Sequence, residues 1–160
     1  MFGLWRTYRG RRAAAAQILP LLDGSRRRLG SIPDSTWHDP YVVGFLAMLI
    51  TMIATRAAGS LGSNDLAAVQ SKAWGDITGM PGHLFGEEIC FYDAAHDNRF
   101  TFGCRNAELF LHELDVAKYQ SEQKLSAGAA VTPSEPDVTS ALWSHYFDAY
   151  LGEPLPISRA

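Results

Sequence analysis

The sequence predicts an all-α protein, a compact bundle of five or six helices around one central apolar helix. Three observations carry this prediction: an uncharged run over residues 41–55, apolar side chains at helical spacing along most of the chain, and capping residues, glycines and prolines between these segments. With 160 residues, the chain fits one domain and can bury a core without disulfides or metal ions. We therefore expect a single helical domain over residues 1–160.

The central helix is expected over about residues 40–59. It begins where Asp39 can cap it and where Pro40 suits the first helical position. Its uncharged run is apolar nearly all round, so the helix must be surrounded. Protein fits better than lipid, because the fifteen residues span about 22 Å whereas a membrane core is about 30 Å thick. A composition that is 47% hydrophobic and 19% charged is ordinary for a soluble protein, which we expect in the cytoplasm.

Two helical segments are predicted before the central helix. The first covers residues 4–23, with Pro20 as a kink or break, and a short second segment covers residues 25–29. Residues 1–28 thus form a basic N-terminal arm, in which seven arginines face a single acid, Asp23. The arm has a net charge of +6, which leaves −9 for the rest of a chain whose total is −3.

This charge asymmetry predicts that the arm contacts something acidic. The alternatives are another protein, an anionic membrane surface, nucleic acid, and the protein's own acidic body. A membrane surface is favoured over nucleic acid, because apolar and aromatic side chains lie among the arginines. The predicted partner-binding residues are Arg6, Arg9, Arg11, Arg12, Arg26, Arg27 and Arg28.

Further helices are predicted after the central one. Residues 63–65 can cap the next helix, in which apolar residues keep helical spacing as far as Ile77. Residues 84–103 allow two interpretations. A helix over residues 84–95 is preferred because its neighbours are helical, and the alternative is a short hairpin that turns at Asp97 and Asn98.

The last third of the chain divides into three segments. Apolar residues at helical spacing predict a helix over residues 104–119. Residues 120–136 are polar, small and proline-containing, which predicts a flexible loop. A final helical segment over residues 137–151 closes the bundle.

The sequence carries no motif for nucleotide binding or nucleophilic catalysis. A Walker-type loop, a dinucleotide glycine fingerprint and a Gly-x-Ser-x-Gly elbow are all missing from it. Cys90 and Cys104 match no zinc pattern, and we expect reduced, buried thiols. No cofactor is predicted.

Metal binding is the sharpest enzymatic hypothesis. Ligands three or four residues apart share a helix face, and several His and carboxylate pairs have this spacing. A di-iron or di-manganese bundle needs Glu-x-x-His on two helices, but only Asp93 and His96 approximate that motif. The candidate ligands are His83, Glu87, Asp93, His96, Glu108 and His112.

The balance of these patterns favours a non-enzymatic helical module for protein–protein interaction, such as an adaptor, chaperone or assembly factor. Four tryptophans, eight phenylalanines and six tyrosines supply more aromatic surface than a small bundle requires, which favours a protein interface and a homodimer. The first alternative is a helical metal-dependent enzyme. The second is peripheral membrane or nucleic-acid binding through the basic arm.

Overall fold

The computed structural model describes residues 2–126 and 137–151, which form six α-helices and two short 3₁₀ helices. No strand occurs in this part of the chain. The predicted all-α bundle around a central helix is confirmed. In chain order the helices are α1 (Phe2–Leu29), α2 (Pro40–Ala58), α3 (Ser63–Thr78), α4 (Gly82–Ala94), α5 (Asn98–Ser126) and α6 (Val138–Tyr146), with 3₁₀ helices at Asp34–His38 and Asp148–Tyr150.

Helix α2 is the centre of the bundle, in contact with α1, α3, α4 and α5. It begins as the sequence predicts, with Pro40 in the first turn and the Asp39 side chain accepting a hydrogen bond from the Tyr41 amide at 2.9 Å. Among the described residues, α2 alone is long and apolar enough to cross a membrane, and most of it is buried inside the protein. Other helices of the protein therefore cover most of its apolar surface, as they do for the core helix of a soluble protein.

Helices α2 and α5 touch at their backbones, and two glycines permit this approach. A Cβ added to Gly44 would collide with the carbonyl oxygen of Phe100 on α5, and a Cβ added to Gly103 would collide with the carbonyl oxygen of Tyr41 on α2. The Cys104 thiol also donates to the Gly44 carbonyl oxygen at 3.3 Å. Any larger side chain at either glycine would separate the two helices.

Side-chain contacts define the directions of the outer helices. Helix α1 runs antiparallel to α2, because Arg6 near its start donates from Nε to the carbonyl oxygen of Ala58 at 3.0 Å. Helix α5 runs in the same direction as α2, and Arg56 pairs with Asp115 at 2.8 Å. The start of α1, the end of α2 and the later half of α5 therefore lie at one end of the bundle.

An aromatic cluster attaches α6 to the rest of the core. Trp143 and Phe147 are fully buried, with ring centroids 4.5 Å apart, and Phe147 lies 5.3 Å from the ring of Phe45 on α2. Buried aromatic pairs of this kind add to the stabilisation that comes from area burial alone. The cluster thus closes the bundle over α2.

Helix α1 is continuous across Pro20, so it is not broken there, and the separate segment predicted over residues 25–29 is wrong. Pro20 lies on the exposed side of the helix. Ile18 and Leu22 on the inner side are fully buried in the core. Tertiary packing of this inner side therefore outweighs the helix-breaking tendency of the proline.

Residues 84–103 form a helix, a turn and the start of the next helix, so the preferred prediction is confirmed and the hairpin alternative is wrong. The turn contains His96 in the left-handed region, at φ 49°. The Asp97 side chain then accepts a hydrogen bond from the Phe100 amide at 2.9 Å. This bond satisfies a free amide at the start of α5.

The predicted flexible loop over residues 120–136 is wrong over its first part, because α5 continues to Ser126. Glutamine, glutamate and lysine, which dominate this stretch, are good helix formers, and the Gln123 amide donates to the Tyr119 hydroxyl at 2.9 Å. Residues 127–136 lie outside the described part of the chain.

The backbone contact between α2 and α5 predicts opposite effects for two glycine-to-alanine substitutions. We expect Gly103→Ala to lower the free energy of unfolding by about 1–3 kcal/mol, because the added methyl group overpacks the helix crossing. Gly86→Ala is the matched control, since beyond the local helix backbone no atom lies within 4 Å of a Cβ at that exposed position. It should stabilise the protein by up to about 1 kcal/mol through helix propensity. Urea denaturation of both variants measures this contrast, and equal effects would contradict it.

Candidate functional site

Three arginines of the predicted partner-binding set are bound within the fold. Arg6 donates to the last turn of α2, as basic residues near helix C-termini commonly do. Arg11 makes a two-pronged contact with Asp76 on α3, with Nη2 and Oδ1 2.6 Å apart. The hydrogen bond to Asp76 is the main cause of the raised pKa of Arg11. Arg28 pairs with Asp148 at 2.6 Å. These side chains hold α1 against the acidic body of the protein.

The contact of Arg28 belongs to a larger polar network. The Asp148 side chain, 7% exposed, accepts hydrogen bonds from Arg28, from the Ser25 hydroxyl and from Ser144. Trp143 Nε1 in turn donates to Ser25 Oγ at 2.8 Å. A nearly buried carboxylate is stable only when its lone pairs are satisfied in this way. The network therefore fastens the end of α1 to α6.

Arg9 and Arg12 are different, because both lie on the exposed side of α1. Neither makes an ion pair with any described residue. The Arg9 guanidinium lies 5.4 Å from the ring centroid of Trp5, and Arg12 Nη1 donates to the Tyr8 hydroxyl at 3.2 Å. Leu4 beside them is 79% exposed. We call these five residues, Leu4, Trp5, Tyr8, Arg9 and Arg12, the α1 outer face.

The last two arginines of the set lie near the end of α1. Arg26 pairs with Asp23 at 2.8 Å, and both side chains are largely exposed. Arg27 is exposed and forms no ion pair within residues 2–126 and 137–151. The seven predicted residues therefore do not form one binding surface.

The six candidate metal ligands do not converge. His83, Glu87 and Asp93 lie on α4, His96 lies in the following turn, and Glu108 and His112 lie on α5; all six are exposed. No group of three or more His, Cys, Asp or Glu side chains able to hold a metal ion occurs in the described residues. The arrangement supplies no ready-made metal centre in this part of the chain.

The two cysteines have different surroundings. Cys90 is exposed, so its predicted burial is wrong, whereas Cys104 is partly buried against α2. Burial, reinforced by the nearby Glu108, raises the pKa of the Cys104 thiol to about 11. That thiol is protonated near neutral pH and is a poor nucleophile.

The feature that the sequence analysis missed is an exposed apolar row on α5. Phe102, Leu109 and Val116 are spaced seven residues apart, Tyr119 follows three residues later, and their exposures are 38%, 39%, 41% and 63%. We call these four residues the α5 seam. Phe102, Leu109 and Val116 occupy successive a positions of a heptad pattern, and Tyr119 occupies a d position. The two earlier d positions hold Arg105 and His112, which are also exposed. The spacing is visible in the sequence, but the stronger apolar row on the opposite, buried side of α5 conceals it.

The borders of the α5 seam are acidic or uncharged. Glu108, Asp115 and Glu122 follow one border at the same seven-residue interval. Asp115 pairs with Arg56, whereas Glu108 and Glu122 are exposed. On the other border, Glu113 accepts a hydrogen bond from the Tyr146 hydroxyl at 2.6 Å, and this bond is the main cause that raises the pKa of Tyr146 to about 12. The seam is thus a row of apolar side chains with Arg105 and His112 among them and exposed negative charge along one border.

Comparison with known proteins adds no functional assignment. No protein-family model, curated protein or solved structure matches the chain. The surfaces of the described residues available for binding a partner are the α5 seam and the α1 outer face.

The polar network around Asp148 predicts that the end of the arm is structurally important. We expect Asp148→Ala to lower the free energy of unfolding by about 2–3 kcal/mol, since it removes charge-assisted hydrogen bonds from a nearly buried position. Asp23→Ala is the control, because it also removes an arginine's partner but at an exposed site, and it should cost at most about 0.5 kcal/mol. Urea denaturation tests both, and an Asp148→Ala variant as stable as the control would refute the structural role.

Proposed function

We propose that the protein is a non-enzymatic helical interaction module that binds an amphipathic helix of another protein along the α5 seam. In this role it serves as an adaptor, chaperone or assembly factor. The single observation that carries the proposal is the row of exposed apolar side chains at heptad spacing on a helix whose opposite face is already buried.

The length of the seam suits a helical partner. From Phe102 to Tyr119 the helix rises about 26 Å, so a partner helix of similar length, about 17 residues, would cover it. Helices pack together by inserting side chains at a and d positions between those of the facing helix. An amphipathic partner would meet the seam with its own apolar stripe.

Charge favours a different protein over a second copy. Two copies paired antiparallel through the seam would bring the border containing Glu108 and Glu122 against the same border of the other copy. Like charges across an interface oppose association. A partner helix with lysine or arginine beside its apolar stripe would instead gain favourable contacts.

A cytoplasmic location is part of the proposal. Both cysteines are free, and Cys90 is exposed, which is typical of proteins in a reducing compartment. The long apolar helix α2 is mostly buried inside the protein, so its apolar side chains do not require a membrane around them.

A site-specific photo-crosslinker tests the proposed surface in cells. Placed at Val116, it should yield one discrete adduct with another protein, because the side chain at this position points away from the core. The control is the same group at Lys72, an exposed position on α3. An adduct of the chain with itself would assign the seam to a homodimer. Identical products from both positions would contradict a specific site.

Affinity measurements on the captured partner give the second part of this test. Leu109→Asp should weaken binding at least about tenfold, because it places a charge within the apolar contact. Leu109 is 39% exposed, so the variant should keep the wild-type melting temperature to within a few degrees. Unchanged affinity in a folded variant would exclude the seam as the binding site.

A further inference from the structure

We infer that the α1 outer face is a docking site for an anionic lipid surface, separate from the α5 seam. Its five residues follow the spacing i, i+1, i+4, i+5 and i+8, which places them on one side of a helix. The opposite side of this helix is fixed in the bundle, where Thr7 and Gly10 are buried. The face is therefore presented to solvent by a helix that the fold already holds in position.

The face combines the two components that interfacial membrane binding requires. Leu4, Trp5 and Tyr8 are 79%, 60% and 55% exposed, which is unusual for such large apolar side chains. Tryptophan and tyrosine suit the boundary between headgroups and acyl chains, because each has an apolar body and a polar tip. Arg9 and Arg12 lie among them and supply positive charge for lipid phosphates and carboxylates.

The arginines of α1 fall into two groups, those that bind acceptors within the bundle and those that face solvent, and the second group favours this interaction. Arg6 and Arg11 turn towards the bundle and bind acceptors there. Arg9 lies over the Trp5 ring and Arg12 donates to the Tyr8 hydroxyl, and no described carboxylate pairs with either arginine. Two positive charges therefore remain to meet an acidic surface.

The distribution of charge along the chain predicts how the protein would be oriented when it approaches a membrane. Residues 1–28 carry +6 and the remainder carries −9. An anionic surface would repel the acidic remainder and attract the arm, so an approach with α1 foremost is favoured.

Exposed aliphatic surface distinguishes lipid from nucleic acid. Leu4 has no hydrogen-bonding group and is the most exposed of the large apolar side chains described. Phosphate contacts with nucleic acid would use the arginines but would leave this leucine in water. Insertion among lipid acyl chains would bury it.

Trp5 is a built-in fluorescent reporter for the experiment. It is 60% exposed, whereas Trp37, Trp74 and Trp143 are at most 2% exposed. The difference between the emission of the wild type and that of Trp5→Phe therefore isolates the residue on the docking face. Contact with lipid should shift this difference emission to shorter wavelength and reduce its quenching by acrylamide.

The test mixes the protein with phosphatidylcholine vesicles that either contain or lack phosphatidylserine. We expect binding only with phosphatidylserine, and the double variant Arg9→Gln/Arg12→Gln should bind about 25-fold more weakly, at about fivefold for each charge. The matched control is Arg105→Gln/Lys118→Gln, which removes two exposed positive charges from α5 instead of α1 and should bind within about twofold of wild type. Equal loss in both double variants, or equal binding to both vesicle types, would overturn the proposal.

A second variant separates lipid from nucleic acid. Leu4→Ser should weaken vesicle binding several-fold while it leaves the melting temperature unchanged, because the side chain is almost fully exposed. If Leu4→Ser binds vesicles as well as wild type, or if wild type binds duplex DNA more tightly than the phosphatidylserine vesicles, the assignment to lipid is wrong. The crosslinking result at Val116 is independent of this outcome.

Discussion

The backbone contact between α2 and α5 is the constraint on which the rest of the structure depends. Gly44 and Gly103 let the two helices approach until the carbonyl groups of one face the Cα atoms of the other. Because α2 is apolar nearly all round, other helices must cover it on every side. Helix α5 makes the closest contact with it. The position and rotation of α5 then follow, and they determine which of its side chains face solvent.

The two candidate surfaces are consequences of this arrangement. A helix that buries one face against α2 presents its other face to solvent, and on α5 that face carries the seam from Phe102 to Tyr119. On α1, Arg6 and Arg11 face the bundle and bind acceptors there, whereas Arg9 faces solvent beside Trp5. The core helix has no charged side chain between Asp39 and Arg56, so recognition must take place on the outer helices.

Local signals explain how much of the fold could be predicted from the sequence. Helix α2 could be predicted from short stretches of sequence: its apolar run, the Asp39 cap and Pro40 at its start. The structure contains all three features. The continuity of α1 through Pro20 could not be predicted in this way, since it depends on packing against other helices. The α5 seam was missed for a related reason: its heptad spacing is present in the sequence, but which face of α5 meets α2 is a tertiary property.

The most direct test of α2 as the buried centre is the free energy of unfolding of Leu49→Asp, measured by circular dichroism in urea. Leu49 is fully buried in the middle of α2. A carboxylate there would lie in an apolar interior without a partner, at a cost comparable with the whole stability of a domain this size. We expect this variant to lose its helical signal and its cooperative transition. A folded Leu49→Asp protein with wild-type stability would contradict it.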